Sequence, residues 1–207
     1  MISMTLASLV LRSRFGLVKE ILDRSMAALG LLMLMPVLGL LAIIIKLTSR
    51  GPVFFTQERV GKGGKLFGII KLRTMGVNAE QDTGPVWASA NDPRITAIGR
   101  FLRATHLDEA PQLFNVLMGD MSLVGPRPER PFFVQQFRTQ VRGYEKRLDV
   151  KPGITGLAQV SSSYDETLRD VQKKLAYDLK YIQRSCLLTD LAIIALTFRC
   201  LAGRGAH

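Results

Sequence analysis

The sequence predicts a mainly α protein with a small β-hairpin, held on one face of a membrane as a monotopic protein by a proline-bent re-entrant helix hairpin. Three observations predict this fold class. Residues 25–45 form an uncharged run with a central proline and basic residues on both sides. Two β-rich apolar segments separated by a Gly/Lys turn follow this run. Most of the remaining chain has the pattern of short helices with recognisable ends.

Composition narrows the class of protein. Hydrophobic residues make up 47% of the 207 residues, the mean hydropathy is +0.17 and the net charge is +11. A chain that is both apolar and basic fits the surface of an anionic lipid membrane, although nucleic acid and phosphate-bearing substrates also fit the charge. The two cysteines, Cys186 and Cys200, form no C-x-x-C pair. This argues against a disulfide framework or a zinc site and suits a reducing cytosolic compartment.

The uncharged run "SMAALGLLMLMPVLGLLAIII" would form a helix about 30 Å long, which is enough to cross a bilayer. Pro36 removes a backbone hydrogen bond and crowds the carbonyl of Leu32, so we expect a kink there. Basic residues at both ends favour the cytoplasmic side for both ends. We therefore predict a re-entrant helix bent at Pro36. A straight span and the core helix of a soluble protein are the alternatives, and the basic segment ahead of the run disfavours a cleaved signal peptide.

A second apolar segment, residues 187–203, contains Asp190 and Arg199. We expect it to lie in the membrane interface or to pack on the anchor, with an ordinary packed helix as the alternative. The same two interpretations apply to the N-terminal segment ahead of the run. The predicted division is an anchoring region at residues 1–49 and a larger domain at residues 50–207.

The elements after the anchor are predicted in order. Val53–Thr56 and Leu66–Leu72 form a β-hairpin around "GKGGK", which lacks the spacing of a phosphate-binding P-loop. Residues 76–93 are polar and irregular. Helices are predicted around residues 98–104, at 111–118 with Gly119 as the stop, and through "ETLRDVQKKLAYDLKYIQ".

Two short stretches suggest chemistry. In "SLVGPRPER", Arg127 lies between two prolines that hold its backbone extended. Such a rigid mount suits a grip on phosphate, although a solvent-facing arginine on a stiff loop is the simpler interpretation. In "RATHLDEAPQLFN", Asp108 and Glu109 are adjacent at the expected start of a helix. They are either favourable charges at a helix N-terminus or a nucleophile and its metal-binding neighbour.

Several stretches together resemble one family: "GPVFFTQERVG", "KLRTM", "DPRITAIGRFLRATHLDEAPQLFNVLMGDMSLVGPRPE", "KPGITGLAQV" and "DLKYIQRSCLLTDLAII". The chain resembles the short form of the monotopic bacterial phosphoglycosyl transferases, from about Asp23 to about Thr197. The resemblance implies transfer of sugar 1-phosphate from a nucleotide diphosphate sugar, expected to be a UDP-sugar, to polyprenol phosphate, with release of a nucleoside monophosphate. It also implies a catalytic domain on the cytoplasmic face of the bacterial inner membrane.

The resemblance implies roles for individual residues. Asp108 matches the nucleophile, which carries the phosphosugar covalently, and Glu109 matches the acid that helps to hold Mg²⁺ with it. Lys71, Arg103 and Arg127 match positions associated with the phosphates. Two departures from the family are Met35, where serine often precedes the bend at Pro36, and Ser161–Ser163, where Asn-Gly-Arg is usual.

The chemistry is physically reasonable. A carboxylate is a weak nucleophile, but a covalent intermediate divides one difficult displacement into two easier ones. Because an anion attacks an anion, Mg²⁺ and cationic side chains are needed to neutralise charge. The alternative is an inactive basic scaffold at the membrane for glycan enzymes. A nucleic-acid module is a poor third interpretation, because the uncharged run is long and no aromatic residues cluster among the basic ones.

Overall fold

The computed structural model describes residues 2–77, 79, 92–162 and 167–204. Helices dominate these residues, with two small sheets, so the predicted mainly α class is confirmed. The described elements are α1 Ile2–Thr48, β1 Phe54–Val60, β2 Leu66–Leu72, α2 Ala97–Thr105, α3 Gln112–Met118, β3 Ser122–Val124, α4 Pro131–Gln140, β4 Gly153–Thr155, α5 Leu157–Ser161, α6 Leu168–Arg184 and α7 Leu187–Arg204. Short 3-10 turns lie at Lys62–Gly64, Leu107–Glu109 and Tyr144–Asp149.

The predicted N-terminal segment and the uncharged run belong to one helix, α1, with Pro36 inside it. Its part from Gly16 to Thr48 is long and apolar enough to cross a membrane, by length and composition. One stripe of α1 is buried against the rest of the protein, while the opposite face exposes Leu32 (71%) and Leu47 (82%). The buried stripe continues on both sides of Pro36 and comprises Ala27, Leu31, Leu38, Leu41 and Ile45.

Polar contacts fasten both ends of the apolar part of α1 to the rest of the protein. Near its start, Asp23 accepts a hydrogen bond of 2.5 Å from the Ser122 hydroxyl. After its end, the Arg73 guanidinium donates to the backbone carbonyls of Ser49, at 3.0 Å, and of Arg50. Ser122 and Arg73 belong to the part of the chain that follows the helix. The two ends of α1 therefore contact the same folded body.

The predicted β-hairpin is confirmed. Strands β1 and β2 pair antiparallel from Phe54 opposite Leu72 to Val60 opposite Leu66. Asn115 of α3, which is fully buried, bonds to the backbone of β2. Its amide donates to the Gly68 carbonyl at 2.8 Å, and its carbonyl oxygen accepts from the Ile70 N–H at 3.0 Å. One side chain thus joins α3 to the strand that carries Lys71.

Helices α2 and α3 lie where the sequence predicts them. The Thr96 hydroxyl caps α2 by accepting from the Gly99 N–H at 3.0 Å. Gly119 ends α3 in the left-handed conformation, with φ of 89°, as its position in the sequence predicts. The predicted irregular segment 76–93 lies largely outside the described residues, and so does Ser163.

A second sheet was not predicted. Strands β3 and β4 pair in parallel, with Ser122 opposite Gly153 and Val124 opposite Thr155. The sequence suggested loops here because each strand has only three residues and lies among prolines and glycines. Glycine is required at the closest approach. A Cβ atom on Gly153 would lie 2.1 Å from the backbone nitrogen of Gly125.

Helix α6 starts with a capping box of Thr167 and Asp170 and ends at Arg184, as predicted. Helix α7 packs against α5, β3 and β4, which agrees with the interpretation of residues 187–203 as a packed helix. Asp190 of α7 is buried, pairs with Lys19 at 2.6 Å and accepts a hydrogen bond from the Tyr181 hydroxyl at 2.8 Å. This acid therefore faces inward and not toward a membrane surface.

Candidate active site

The acid pair lies in a 3-10 turn and not in the first turn of α3. His106 ends α2 in the left-handed conformation, with φ of 56° and ψ of 16°, and the turn Leu107–Glu109 begins there. Helix α3 starts only at Gln112, after Pro111. The prediction that the acids lie at the start of a helix therefore holds for this short 3-10 helix, whose chain continues through right-handed Ala110 and Pro111 into α3. The left-handed backbone at His106 separates the turn from α2, and histidine tolerates this conformation better than β-branched residues do.

Glu109 is surrounded by cations. Its Oε1 atom lies 2.7 Å from the Nζ of Lys71 and 2.6 Å from the Nη2 of Arg127, whose Nη1 donates to Oε2 at 3.2 Å. Burial alone would raise the pKa of Glu109, but the charges of Arg127 and Lys71 hold it well below its usual range. Burial lowers the pKa of Lys71, and Glu109 opposes that shift. The Glu109 carboxylate is therefore ionised and forms ion pairs with Lys71 and Arg127.

Asp108 has different surroundings. Its residue is 8% exposed, and no described residue forms a hydrogen bond with its carboxylate. Burial raises the pKa of Asp108, the Lys71 charge opposes this shift, and the Glu109 charge adds to it. Two neighbouring carboxylates thus have pKa values shifted in opposite directions, a pattern expected where the two acids play different chemical roles.

Arg103 lies beside this cluster and not within it. Its Nε donates to the Thr74 hydroxyl at 2.9 Å. Its positive charge favours the ionised form of Asp108. Lys71, Asp108, Glu109 and Arg127 are thus brought together, and Arg103 contributes its charge from the end of α2.

The loop that carries Arg127 is held rigidly, as its two prolines predict. Four consecutive carbonyl groups, from Pro126 to Glu129, each accept a hydrogen bond from outside the loop. The donors, in that order, are the Gly153 N–H (2.9 Å), the Arg147 guanidinium (2.9 Å), the Arg59 guanidinium (3.2 Å) and the Val60 N–H (2.9 Å). The Arg127 side chain remains 44% exposed, so a fixed backbone presents an accessible guanidinium.

Sequence reasoning missed Arg59 and Arg147. Each lies far along the chain from the carbonyl that it holds: 69 residues separate Arg59 from Pro128, and 20 separate Arg147 from Arg127. No local pattern marks such a contact.

Helix α1 supports the turn that carries the acids. Leu107 and Ala110, which flank Asp108 and Glu109, pack against the cluster that contains Leu31 and Leu38 of α1. These two leucines lie on either side of Pro36. Pro36 itself is not part of the acid cluster. The apolar helix that would enter a membrane therefore shares one apolar cluster with the residues on both sides of the acid pair.

The acid pair fits Mg²⁺ by its donor atoms. Mg²⁺ is usually held by one or two carboxylates together with water and substrate phosphates. Asp108 and Glu109 supply two such carboxylates, and the oxygens of Asp108 are engaged by no described side chain. Among the described residues, no larger group of His, Cys, Asp or Glu suited to a metal is present. Any Mg²⁺ held here would share Glu109 with Lys71 and Arg127.

Comparison with known proteins identifies the family. The model of the bacterial sugar transferase family matches residues 14–204. The chain is 45% identical over 192 residues to a UDP-glucose:undecaprenyl-phosphate glucose-1-phosphate transferase of Klebsiella pneumoniae, covering 91% of this chain and 41% of that protein. It is 42% identical over 203 residues to a UDP-N-acetylgalactosamine-undecaprenyl-phosphate N-acetylgalactosaminephosphotransferase of Aeromonas hydrophila, covering 98% of this chain and 48% of that protein.

A shorter relative is covered more fully. A UDP-glucose:undecaprenyl-phosphate glucose-1-phosphate transferase of Caulobacter vibrioides is 45% identical over 183 residues, which are 86% of this chain and 67% of that protein. The chain spans less than half the length of the Klebsiella and Aeromonas relatives. The family match includes the whole acid and cation cluster, from Lys71 to Arg127. The chain belongs to the bacterial sugar transferase family.

Proposed function

We propose that the protein transfers sugar 1-phosphate from a nucleotide diphosphate sugar, most simply a UDP-sugar, to polyprenol phosphate and releases a nucleoside monophosphate. One observation carries the proposal: a buried Asp108 carboxylate without a hydrogen-bond partner among the described residues lies beside Glu109, which holds two cations. The names of the relatives, which act on UDP-sugars and undecaprenyl phosphate, support the choice of substrates.

The proposed reaction has two displacements. An Asp108 oxygen attacks the phosphorus that bears the sugar, and the bond from that phosphorus to the nucleotide oxygen breaks, releasing the nucleoside monophosphate. An oxygen of polyprenol phosphate then attacks the same phosphorus and frees Asp108, leaving a polyprenyl diphosphate sugar. Each displacement needs a carboxylate nucleophile or leaving group, which covalent catalysis by aspartate provides.

The cations around Glu109 are suited to the transferring phosphoryl group. Arg127 is exposed enough to turn toward a diphosphate, while its backbone is fixed by the loop. Lys71 and Arg127 would share their charges between Glu109 and the phosphate oxygens, stabilising charge as it develops. Asp108 and Glu109 would hold Mg²⁺, which supplies neutralisation of the donor diphosphate when bound. The charges of Lys71 and Arg103 would favour the ionised form of Asp108 against the effect of burial.

We infer that α1 enters the bacterial inner membrane from the cytoplasmic face and returns to it, bent at Pro36. Both ends of its apolar part are hydrogen-bonded to one folded body, at Asp23 and at Ser49. A straight crossing would separate those ends by the thickness of the bilayer. The exposed apolar faces of α1 and α7 and the net charge of +11 support attachment to anionic lipid. The catalytic domain would then meet nucleotide sugar and lipid phosphate together.

Labelling of single cysteines tests the topology. In a variant with Cys186 and Cys200 replaced by serine, Leu17→Cys and Leu47→Cys place thiols at positions that are 67% and 82% exposed. A membrane-impermeant maleimide added to intact spheroplasts should label neither, and both should react after lysis. Lys62→Cys in the hairpin turn is the control for the cytoplasmic domain. Labelling of one α1 position from outside and the other from inside would refute a re-entrant helix.

Product analysis tests the reaction. The purified protein in detergent is incubated with Mg²⁺, polyprenol phosphate and a panel of nucleotide sugars, and the released nucleotide is identified. Release of a nucleoside monophosphate is expected, while a nucleoside diphosphate would indicate an ordinary glycosyltransferase. With donor alone, the protein should gain the mass of a sugar phosphate on Asp108. A membrane-bound protein that turns over no donor would instead fit the scaffold alternative.

A further inference from the structure

We propose that Arg147 is a positioning residue for Arg127, linking helix α6 to the phosphate-binding cations. This inference rests on the proposed function, because it assigns Arg147 a role in presenting the Arg127 guanidinium to the donor diphosphate. Arg147 does not itself reach the acid pair through any contact that the structure describes. It acts on the backbone from which Arg127 extends.

Three partners hold the Arg147 guanidinium. Its Nη2 donates to the Arg127 carbonyl at 2.9 Å, its Nε donates to the Asp178 carboxylate at 3.0 Å, and its Nη1 donates to the Tyr144 hydroxyl at 2.7 Å. Arg147 is 8% exposed and Asp178 is 2% exposed, so water competes little with these bonds. The partners come from the loop, from α6 and from the start of the 3-10 turn that carries Arg147 itself, so three separate groups fix the planar guanidinium.

The position of the Arg127 carbonyl determines the position of the Arg127 side chain. It belongs to the same residue as the guanidinium that contacts Glu109, and the flanking prolines restrict the backbone torsions nearby. A shift of this carbonyl therefore moves the base of the Arg127 side chain and is not absorbed by its neighbours. Removing the bond would also leave a carbonyl group unpaired between two buried prolines, Pro126 and Pro128.

The pair of Arg147 and Asp178 is poorly explained as a source of stability alone. Buried ion pairs often contribute little net stability, because desolvation of both charges offsets their attraction. The surrounding cluster of Val134, Phe137, Val171 and Leu175 already provides an apolar core. An apolar side chain at position 147 could not donate a hydrogen bond to the Arg127 carbonyl. Lysine also cannot reproduce the planar fork that reaches all three partners.

A double-mutant cycle tests this role. The kcat/KM for release of nucleoside monophosphate is measured for Arg127→Met, for Arg147→Met and for the variant with both substitutions. If Arg147 acts through Arg127, Arg147→Met should lower kcat/KM by about 10²-fold in the wild-type background and change it little in the Arg127→Met background. Arg147→Lys should not rescue activity, since one ammonium group cannot hold the carbonyl and Asp178 in the same geometry.

Leu175→Ala is the matched control. Leu175 is buried on the same helix as Asp178 and in the same cluster as Tyr144, but it has no polar contact with the loop. The Leu175→Ala substitution should lower the melting temperature. Its effect on kcat/KM should be the same with and without Arg127→Met. If Arg147→Met does not fold, Asp178→Asn enters the cycle in its place, because the carboxylate that orients Arg147 is then lost.

The outcomes separate the two proposals. Independent, multiplicative losses from Arg147→Met and Arg127→Met in an active enzyme would overturn the positioning role and leave the proposed function intact. Wild-type kcat/KM in folded Arg147→Met would do the same. A wild-type protein that releases no nucleoside monophosphate with any donor would instead overturn the proposed function.

Discussion

The turn that carries Asp108 and the loop that carries Arg127 meet at Glu109, but the protein holds them in opposite ways. Every carbonyl from Pro126 to Glu129 in the loop accepts a hydrogen bond from a distant part of the chain. The turn begins at a left-handed His106 and presents an Asp108 carboxylate with no hydrogen-bond partner among the described residues. The loop fixes the backbone of the cation, whereas the carboxylate of the candidate nucleophile forms no hydrogen bond with a described residue.

The difference has a physical reason. A carboxylate that accepts several hydrogen bonds is stabilised and becomes a weaker nucleophile, so an unpaired Asp108 suits attack on phosphorus. A buried unpaired charge costs stability, and an unusual backbone conformation adds to that cost. The hydrogen bonds of the loop and the packing of Leu107 and Ala110 in the apolar cluster that includes α1 offset these costs. Three substitutions sharpen this comparison.

The largest effect is expected for Asp108→Asn. Loss of the nucleophile should lower sugar-phosphate transfer by about 10³-fold or more, and membrane association should remain. Because burial raises the pKa of Asp108, its ionised form opposes folding at neutral pH, and the neutral amide should unfold at an equal or higher temperature. Turnover and thermal unfolding in detergent measure both effects. Wild-type turnover by this variant would remove Asp108 from the mechanism.

A smaller effect, this time on the loop, is expected for Gly153→Ala. The added Cβ would lie 2.1 Å from the Gly125 nitrogen, so the backbone must move and the bond from Gly153 to Pro126 is weakened. The free energy of unfolding should fall by about 1–3 kcal/mol, as for other overpacked sites. Gly76→Ala is the control, because its Cβ would meet no atom within 4 Å. Equal stability of the two variants in denaturant unfolding would show that the loop is less tightly held than its contacts indicate.

The smallest effect is expected at the start of the turn. His106→Val places a β-branched residue at φ of 56° and should destabilise the protein by about 1–2 kcal/mol. His106→Gly should leave stability within about 1 kcal/mol of the wild type, since glycine adopts this conformation freely. Denaturant unfolding of the two variants checks the difference. If valine were tolerated as well as glycine, the left-handed conformation would not be what shapes the turn.

Local patterns predicted much of the fold. The β-hairpin, the end of α3 at Gly119 and the non-helical backbone at Arg127 all depend on residues within a few positions, so turn chemistry and proline geometry were sufficient. The parallel pairing of β3 with β4 was missed, because strands of three residues have too little periodicity to be recognised. The separate 3-10 turn of the acid pair was not predicted, because the left-handed backbone at His106 has no strong sequence signal.

The sequence by itself determined the uncharged helix with Pro36 at its centre, the adjacent acids and the proline-flanked arginine, because each is a property of neighbouring residues. Only the tertiary structure decided that Lys71 and Arg127 converge on Glu109 while Asp108 is left unpaired. It also decided that Arg147 and Asp178 support the Arg127 loop from α6. These contacts join residues 18 to 38 positions apart, and packing alone sets which distant side chains meet.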